Sequence, residues 1–178
     1  MLIKILIVLA VLVIAFIIIV SSRPDTFRVA RSLSIAAPPS LIFRHLNNQQ
    51  KVGEWSPWMK LDSNAKQSFS GPEEGVGSAV TWDGNNQVGA GTSTIIESKS
   101  DELVKFRLDF LRPFKGTNTA EIALEPEGSN TLVTWSMYGN ANFMSKAVGL
   151  FMNCDKMCGD QFNLGLQQLK TLVEKDKI

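Results

Sequence analysis

The sequence predicts an α+β fold, a curved antiparallel sheet of about seven strands wrapped on a long C-terminal helix, with one apolar helix ahead of it. Three observations carry the prediction. Residues 1–20 are apolar except for Lys4. Residues 27–138 fall into short segments in which apolar and polar side chains alternate, the period of a half-buried strand. From Met144 to Val173 the apolar residues recur every three or four positions, the period of a helix with one buried face.

The first element reads MLIKILIVLAVLVIAFIIIV. A helix of about 20 apolar residues spans the ~30 Å hydrocarbon core of a bilayer, with Lys4 snorkelling to one interface and Arg23 marking the other. A buried core helix would need a polar face, and none exists. A cleavable signal peptide is the rival reading, because Val20-Ser21-Ser22 is a passable small-residue cleavage site. Against it, the run is longer than the usual ~7–15-residue apolar region, and only Lys4 supplies positive charge before it. Residues 1–23 are therefore expected to be a retained transmembrane anchor. Arg23, Arg28 and Arg31 follow the span, which points the rest of the chain to the cytoplasmic side.

Behind the anchor, Phe27, Val29, Leu33 and Ile35 alternate with Arg28, Ser32 and Ser34, giving a first strand. Ala37-Pro38-Pro39-Ser40 stops it and starts a short helix, since proline is tolerated in a first turn whose N–H needs no partner. A second short helix is expected over 51–55, ending before Ser56-Pro57. Six more strands follow, at about 66–70, 77–83, 88–98, 103–110, 117–125 and 131–138. Asp83-Gly84-Asn85 and Glu127-Gly128-Ser129-Asn130 between them are turn chemistry. Such short spacing implies antiparallel hairpins, because parallel pairing needs long crossovers.

The alternation also assigns a buried face. Val104, Phe106, Leu108 and Phe110 oppose Lys105, Arg107 and Asp109. Val80 and Trp82 agree, as do Ala120, Ile122 and Leu124, and Val133, Trp135 and Met137. One face is apolar and must be covered. The cover is the C-terminal stripe of Met144, Val148, Phe151, Cys154, Cys158, Phe162, Leu166, Leu169 and Val173, read as one helix of about thirty residues. Gly149, Gly159 and Gly165 lower its intrinsic stability and are expected to permit close packing or a bend.

Bulk composition bounds the function. With 178 residues, the chain is expected to hold an anchor (1–23) and one domain (24–178) large enough for its own core. Of 18 Lys and Arg, Lys4 and Arg23 lie in residues 1–23, which leaves 16 against 17 Asp and Glu in the domain. No basic cluster exists to replace phosphate counterions, so nucleic acid is excluded as a partner. Cys154 and Cys158 are a helical turn apart, a poor geometry for a disulfide, and read as buried reduced thiols. With one histidine, His45, no metal set is apparent. No cofactor is expected.

The ordered series of motifs resembles a known group, the START-like, helix-grip SRPBCC superfamily, and within it the bacterial polyketide cyclase/dehydrase-like proteins. The resemblance is carried by Arg31-Ser-Leu-Ser-Ile-Ala-Ala-Pro-Pro39 with Ile42-Phe43, by Trp55-Ser-Pro-Trp58, and by Ser70-Gly-Pro72 with Gly75-Val-Gly77. Val133-Thr-Trp135-Ser-Met137 and the closing Asp155-Lys-Met157, Gly159, Phe162, Gly165-Leu166 and Leu169-Lys170 complete it. It covers about residues 27–175. The resemblance implies a cavity between sheet and long helix that takes lipids, sterols, quinones or aromatic polyketides. It does not by itself imply catalysis, because this superfamily holds enzymes, carriers and co-chaperones.

Trp82, Phe106, Phe110, Trp135, Met137, Phe151, Cys158 and Phe162 fall where sheet and helix meet. They are either ordinary core or the lining of an apolar ligand pocket, and they are the candidate ligand-binding residues. Trp55 and Trp58 are either a plug closing one end of the cup or an entrance lid near a bilayer, where tryptophan is favoured. The glycines of 71–91 lack the strand–loop–helix setting and the Lys-Ser/Thr of a phosphate loop, so they read as turn and bulge devices. Arg107 and Arg112 are candidates to hold an anionic head group near the mouth. For catalysis, His45, Tyr138 and Cys158 are the available reactive groups, and no arranged acid, base and substrate position emerges. The expected function is a membrane-tethered binding module for an apolar or amphipathic small molecule such as a lipid, isoprenoid or aromatic. Two alternatives stay open: a polyketide cyclase/dehydratase-like enzyme, and a protein-interaction scaffold using the tryptophan loop.

Overall fold

The computed structural model describes residues 1–176, apart from the side chain of Cys154. The expectation that Cys154 is a buried thiol therefore lies outside the described residues. Helix α1 (Leu2–Ser21) precedes strand β1 (Thr26–Ile35). Helices α2 (Pro39–Phe43) and α3 (Gln49–Trp55) follow, then a single 3₁₀ turn at Pro57–Lys60. Six strands come next, β2 (Lys66–Ser70), β3 (Ala79–Asp83), β4 (Ala90–Lys99), β5 (Leu103–Arg112), β6 (Gly116–Glu127) and β7 (Asn130–Asn140). Helices α4 (Phe143–Phe151) and α5 (Cys154–Lys175) close the chain.

The seven strands form one sheet in the order β1-β7-β6-β5-β4-β3-β2. Every neighbouring pair is antiparallel. Only β1–β7 joins strands distant in sequence, in the register Arg31↔Trp135 and Leu33↔Val133. The register between β4 and β5 shifts at Ile95/Glu97, a bulge that increases local twist and bends the sheet. The α+β helix-grip architecture expected from the alternation is thus present.

Helix α5 lies across the concave face and buries Phe162, Leu166, Leu169 and Val173 against Val29, Ile122, Val133 and Trp135. A Cβ on Gly165 would stand 2.6 Å from Trp135 Cζ3 and 3.0 Å from Pro57 Cδ. This glycine permits the close approach of helix to sheet. Arg31 occupies an inward position of β1 and reaches the first turn of α5, donating to Asp155 Oδ2 at 2.9 Å and to the Asp155 carbonyl at 3.2 Å. That hydrogen bond holds the Asp155 carboxyl below its ordinary value and the Arg31 guanidinium above its own. It places a fixed pairing at the helix N-terminus, where an acid is also favoured by the dipole.

The single thirty-residue helix is corrected to two. Met152 is extended (φ −123°, ψ 129°), and Asn153 starts a new helix by accepting from the Lys156 N–H at 2.9 Å. Asn142 caps α4 in the same way through the Ser145 N–H at 2.8 Å. Asparagine side chains that take up orphan helix donors override a continuous apolar stripe. Consequently Met144 and Phe151 do not face the sheet but are exposed. The second short helix starts at Gln49 rather than Lys51, because Asn48 caps it by accepting from Gln50 N and Lys51 N.

Among the described residues one helix, α1, is long and apolar enough to cross a membrane. Its side chains are exposed nearly throughout, Val20 being the buried exception. It touches α4. Lys146 of α4 pairs with Asp25, and the Ala141 N–H donates to the Asp25 carbonyl at 2.8 Å.

Candidate functional site

The concave face and α5 do not meet everywhere. Between them lies a cavity of about 320 Å³. Its floor comes from residues of six strands, β2 to β7, among them Trp82 of β3, Phe106 and Phe110 of β5, and Trp135 and Met137 of β7. Strand periodicity places all of these on one face. Cys158 and Phe162 of α5 form the roof. The wall beside them is α3 and the 3₁₀ turn, through Trp55, Trp58 and Met59.

The aromatic framework is fixed by mutual contact. Trp135 stacks on Phe162 with ring centroids 4.4 Å apart and planes 14° apart. It meets the edge of Trp55 at 5.2 Å and 77°. Trp55 is 1% exposed, and its indole N–H donates to the His45 carbonyl at 3.0 Å. At the other end of the cavity Trp82 and Phe110 pack edge to face at 5.9 Å, and the Trp82 N–H donates to the Val88 carbonyl at 3.2 Å. Indole N–H groups tied to backbone leave the ring faces as the surface the cavity presents.

Polar lining is sparse. Gln49 donates to the Ser93 carbonyl at 3.2 Å and to Ser93 Oγ at 3.1 Å. Arg112 stands at the opposite end and pairs with Asp83 and with the Gly84 carbonyl. Two charge networks lie on the outer face of the sheet, Glu97 with Lys99 and Lys105, and Asp109 with Arg107. The Glu97 carboxyl is held below its ordinary value, chiefly by hydrogen bonding to Lys105 and then to Lys99. The Asp109 carboxyl is lowered first by the Thr117 hydroxyl at 2.7 Å and then by Arg107 at 2.8 Å.

Seven of the eight sequence-predicted site residues surround this one cavity, namely Trp82, Phe106, Phe110, Trp135, Met137, Cys158 and Phe162. Phe151 does not join them. It sits at the end of α4 and is 80% exposed. Arg112 lines the cavity, whereas Arg107 is turned to Asp109 on the other face. Of the three reactive candidates only Cys158 is in the lining. Tyr138 lies on the outer face with its hydroxyl 3.4 Å from Glu121, and His45 Nε2 sits 3.0 Å from Asp176 beneath α5. Among the described residues no cluster of His, Cys, Asp or Glu suits a metal ion. Sequence reasoning missed Gln49 because its helix was started two residues late, although Asn48 was a legible cap. Met59 has no signal in the sequence, since it lies on a 3₁₀ turn of four residues that no periodic pattern marks.

The sequence profile of a family described as polyketide cyclase / dehydrase and lipid transport matches residues 26–174. No curated protein matches the chain. Among solved structures, the chain is similar to protein CV1439 from Chromobacterium violaceum, with 17% identity over 85% of this chain and 99% of that one, at a TM-score of 0.59. It is similar to the Aha1 dimer from Colwellia psychrerythraea, with 19% identity over 83% and 96% at 0.58. A ginseng major latex-like protein from Panax ginseng gives 16% identity over 83% and 97% at 0.60. At these identities the likeness is one of fold.

Proposed function

The chain belongs to the polyketide cyclase / dehydrase and lipid transport family, within the helix-grip SRPBCC superfamily, and from that premise we propose that it is a membrane-tethered module binding an apolar or amphipathic small molecule. The observation that carries the reading is the cavity of about 320 Å³, walled by aromatic and aliphatic side chains, with Gln49 and Arg112 at its two ends. Ligand pockets of roughly 300–1,000 Å³ are mostly apolar with a few placed polar groups. Burying apolar ligand surface is worth about 25 cal/mol per Å². The ligand classes that fit are a lipid, an isoprenoid or an aromatic. Helix α1 supplies the tether in this reading, raising the concentration of the cavity at the bilayer where such molecules partition.

The test is native mass spectrometry of residues 25–178, purified without detergent, with organic extraction of what travels with the protein. A discrete adduct released on denaturation supports the reading and names the ligand class. A bare polypeptide mass, unchanged after incubation with lipid extract, overturns it. The tether is tested separately by cell fractionation with N-terminal sequencing. An intact amino terminus in the membrane fraction supports it, and a chain beginning near Ser21 in the soluble fraction makes α1 a removed signal.

A further inference from the structure

We infer that the end of the sheet carrying the cavity's Arg112 rim is a membrane-docking face, in which the β5–β6 hairpin tip and helix α4 rest on the bilayer that α1 spans. The proposal deepens the tethered-module reading and rests on it.

Register decides which parts share an end. Thr26 pairs with Asn140, Asn118 with Gly139, Phe110 with Gly116, Ala90 with Arg112, and Asp83 with Ala90. The exit of α1, the start of α4, the β5–β6 tip and the Trp82–Phe110 end of the cavity therefore lie at one end of the sheet. The Lys146–Asp25 pair and the Ala141-to-Asp25 hydrogen bond fasten α4 to the exit of α1. A membrane crossed by α1 must lie next to this end.

The side chains here suit it. Leu111 and Phe114 at the hairpin tip are 54% and 60% exposed, and Phe143, Met144 and Phe151 of α4 are 47%, 55% and 80% exposed. Helical spacing puts Phe143, Met144, Ala147, Val148 and Phe151 on one arc of α4, while Lys146 points elsewhere to Asp25. Lys115 at the tip and Arg23 at the end of α1 are exposed cations at headgroup height, the charge that anionic lipid attracts. At the opposite end, the β4–β5 turn (99–102) and the β6–β7 turn (127–130) carry no apolar side chain. The exposed apolar side chains of the β5–β6 tip and of α4 are continuous with an apolar helix that is itself exposed over most of its length. A bilayer covers all three at once, and it sets the Arg112 end of the cavity against the lipid.

The test uses the full chain in nanodiscs of phosphatidylcholine and phosphatidylglycerol, with a fraction of the lipid carrying a nitroxide on its acyl chain. Trifluoromethyl-phenylalanine is placed singly at positions 114, 143 and 129, and fluorine relaxation is read. Strand β6 has 12 residues and so separates 114 from 129 by roughly 40 Å. Docking gives relaxation enhancement at 114 and 143 at least about tenfold that at 129, since the effect falls with the inverse sixth power of distance. Equally weak enhancement at all three sites, with the chain co-eluting with the discs, overturns docking and leaves the tether standing. A chain that does not co-elute overturns the tether and docking with it. Leu111→Glu with Phe114→Glu should abolish the enhancement at 143 without releasing the chain from the disc. Undiminished enhancement there removes the hairpin from the docking face and overturns the proposal.

Discussion

Gly165 and Gly53 are both glycines inside helices, and sequence alone treats them alike. Replacing either by alanine gains about 1 kcal/mol of helix propensity. Their surroundings differ. An added Cβ at Gly53 meets nothing within 4 Å, whereas at Gly165 it would stand 2.6 Å from Trp135 Cζ3. Trp135 has little room to retreat, being stacked on Phe162 and edged by Trp55. Overpacking of this kind costs about 1–3 kcal/mol. Gly165→Ala should therefore range from neutral to destabilising by about 2 kcal/mol once the propensity gain is offset. Gly53→Ala should stabilise by up to about 1 kcal/mol. Because the propensity term is common to both, the gap between the two variants isolates the packing term. In urea, with a slope of about 2 kcal/mol/M, the midpoints of the 25–178 fragment should separate by about 0.5–1.5 M. Near-ultraviolet circular dichroism should change for Gly165→Ala and not for Gly53→Ala, since only the former displaces Trp135. Equal stabilisation by both substitutions would refute the close contact between α5 and the sheet.

Three further outcomes follow from the same geometry. Ala120→Phe projects a ring into the cavity from the floor of β6, where Ala120 is 5% exposed; retained ligand in native mass spectra should fall at least about tenfold, equivalent to 1.4 kcal/mol, while the fragment stays folded. Leu169→Ala, at a fully buried site on α5 away from the cavity, should cost about 2–5 kcal/mol in urea unfolding. Asp155→Asn should lower the urea midpoint near neutral pH by removing the Arg31 link. Since the Asp155 carboxyl sits below its ordinary 3.8 when folded, its contribution is present above that value and is lost as pH falls through the depressed one. Variant and parent should converge once acid protonates the folded carboxyl, and a difference that persists unchanged after that protonation would refute the link.

The strand alternation was enough to place Trp82, Phe106, Phe110, Trp135 and Met137 on one face, because side-chain direction in a strand is set by a local period of two. The apolar character of α1 was legible for the same reason, since composition alone decides whether a helix has a polar face. Helical stripes proved less secure. The apolar spacing from Met144 to Val173 is compatible with one helix, yet two asparagine caps divide it and swing Phe151 away from the sheet. Caps are short-range hydrogen bonds that a hydrophobic pattern does not register. Gln49 reaches the cavity from the first turn of α3, two residues ahead of the expected start, and Met59 from a 3₁₀ turn too short for a periodic pattern to register.

Sequence by itself thus determined which residues are apolar on which face of which strand, and that the face needed a cover. It also carried the ordered motifs that make the chain a helix-grip protein. Only the tertiary structure decided that the cover stops short of filling the space, because a void depends on how closely α5 approaches the sheet at Gly165 and how far the aromatic wall stands back. Only the register between strands distant in sequence decided that the exit of α1, the exposed tips and the Arg112 end of the cavity share one end of the molecule. Pairing of β1 with β7 joins the first and last strands of the sheet, and a contact across about a hundred residues leaves no local trace in the residues that make it.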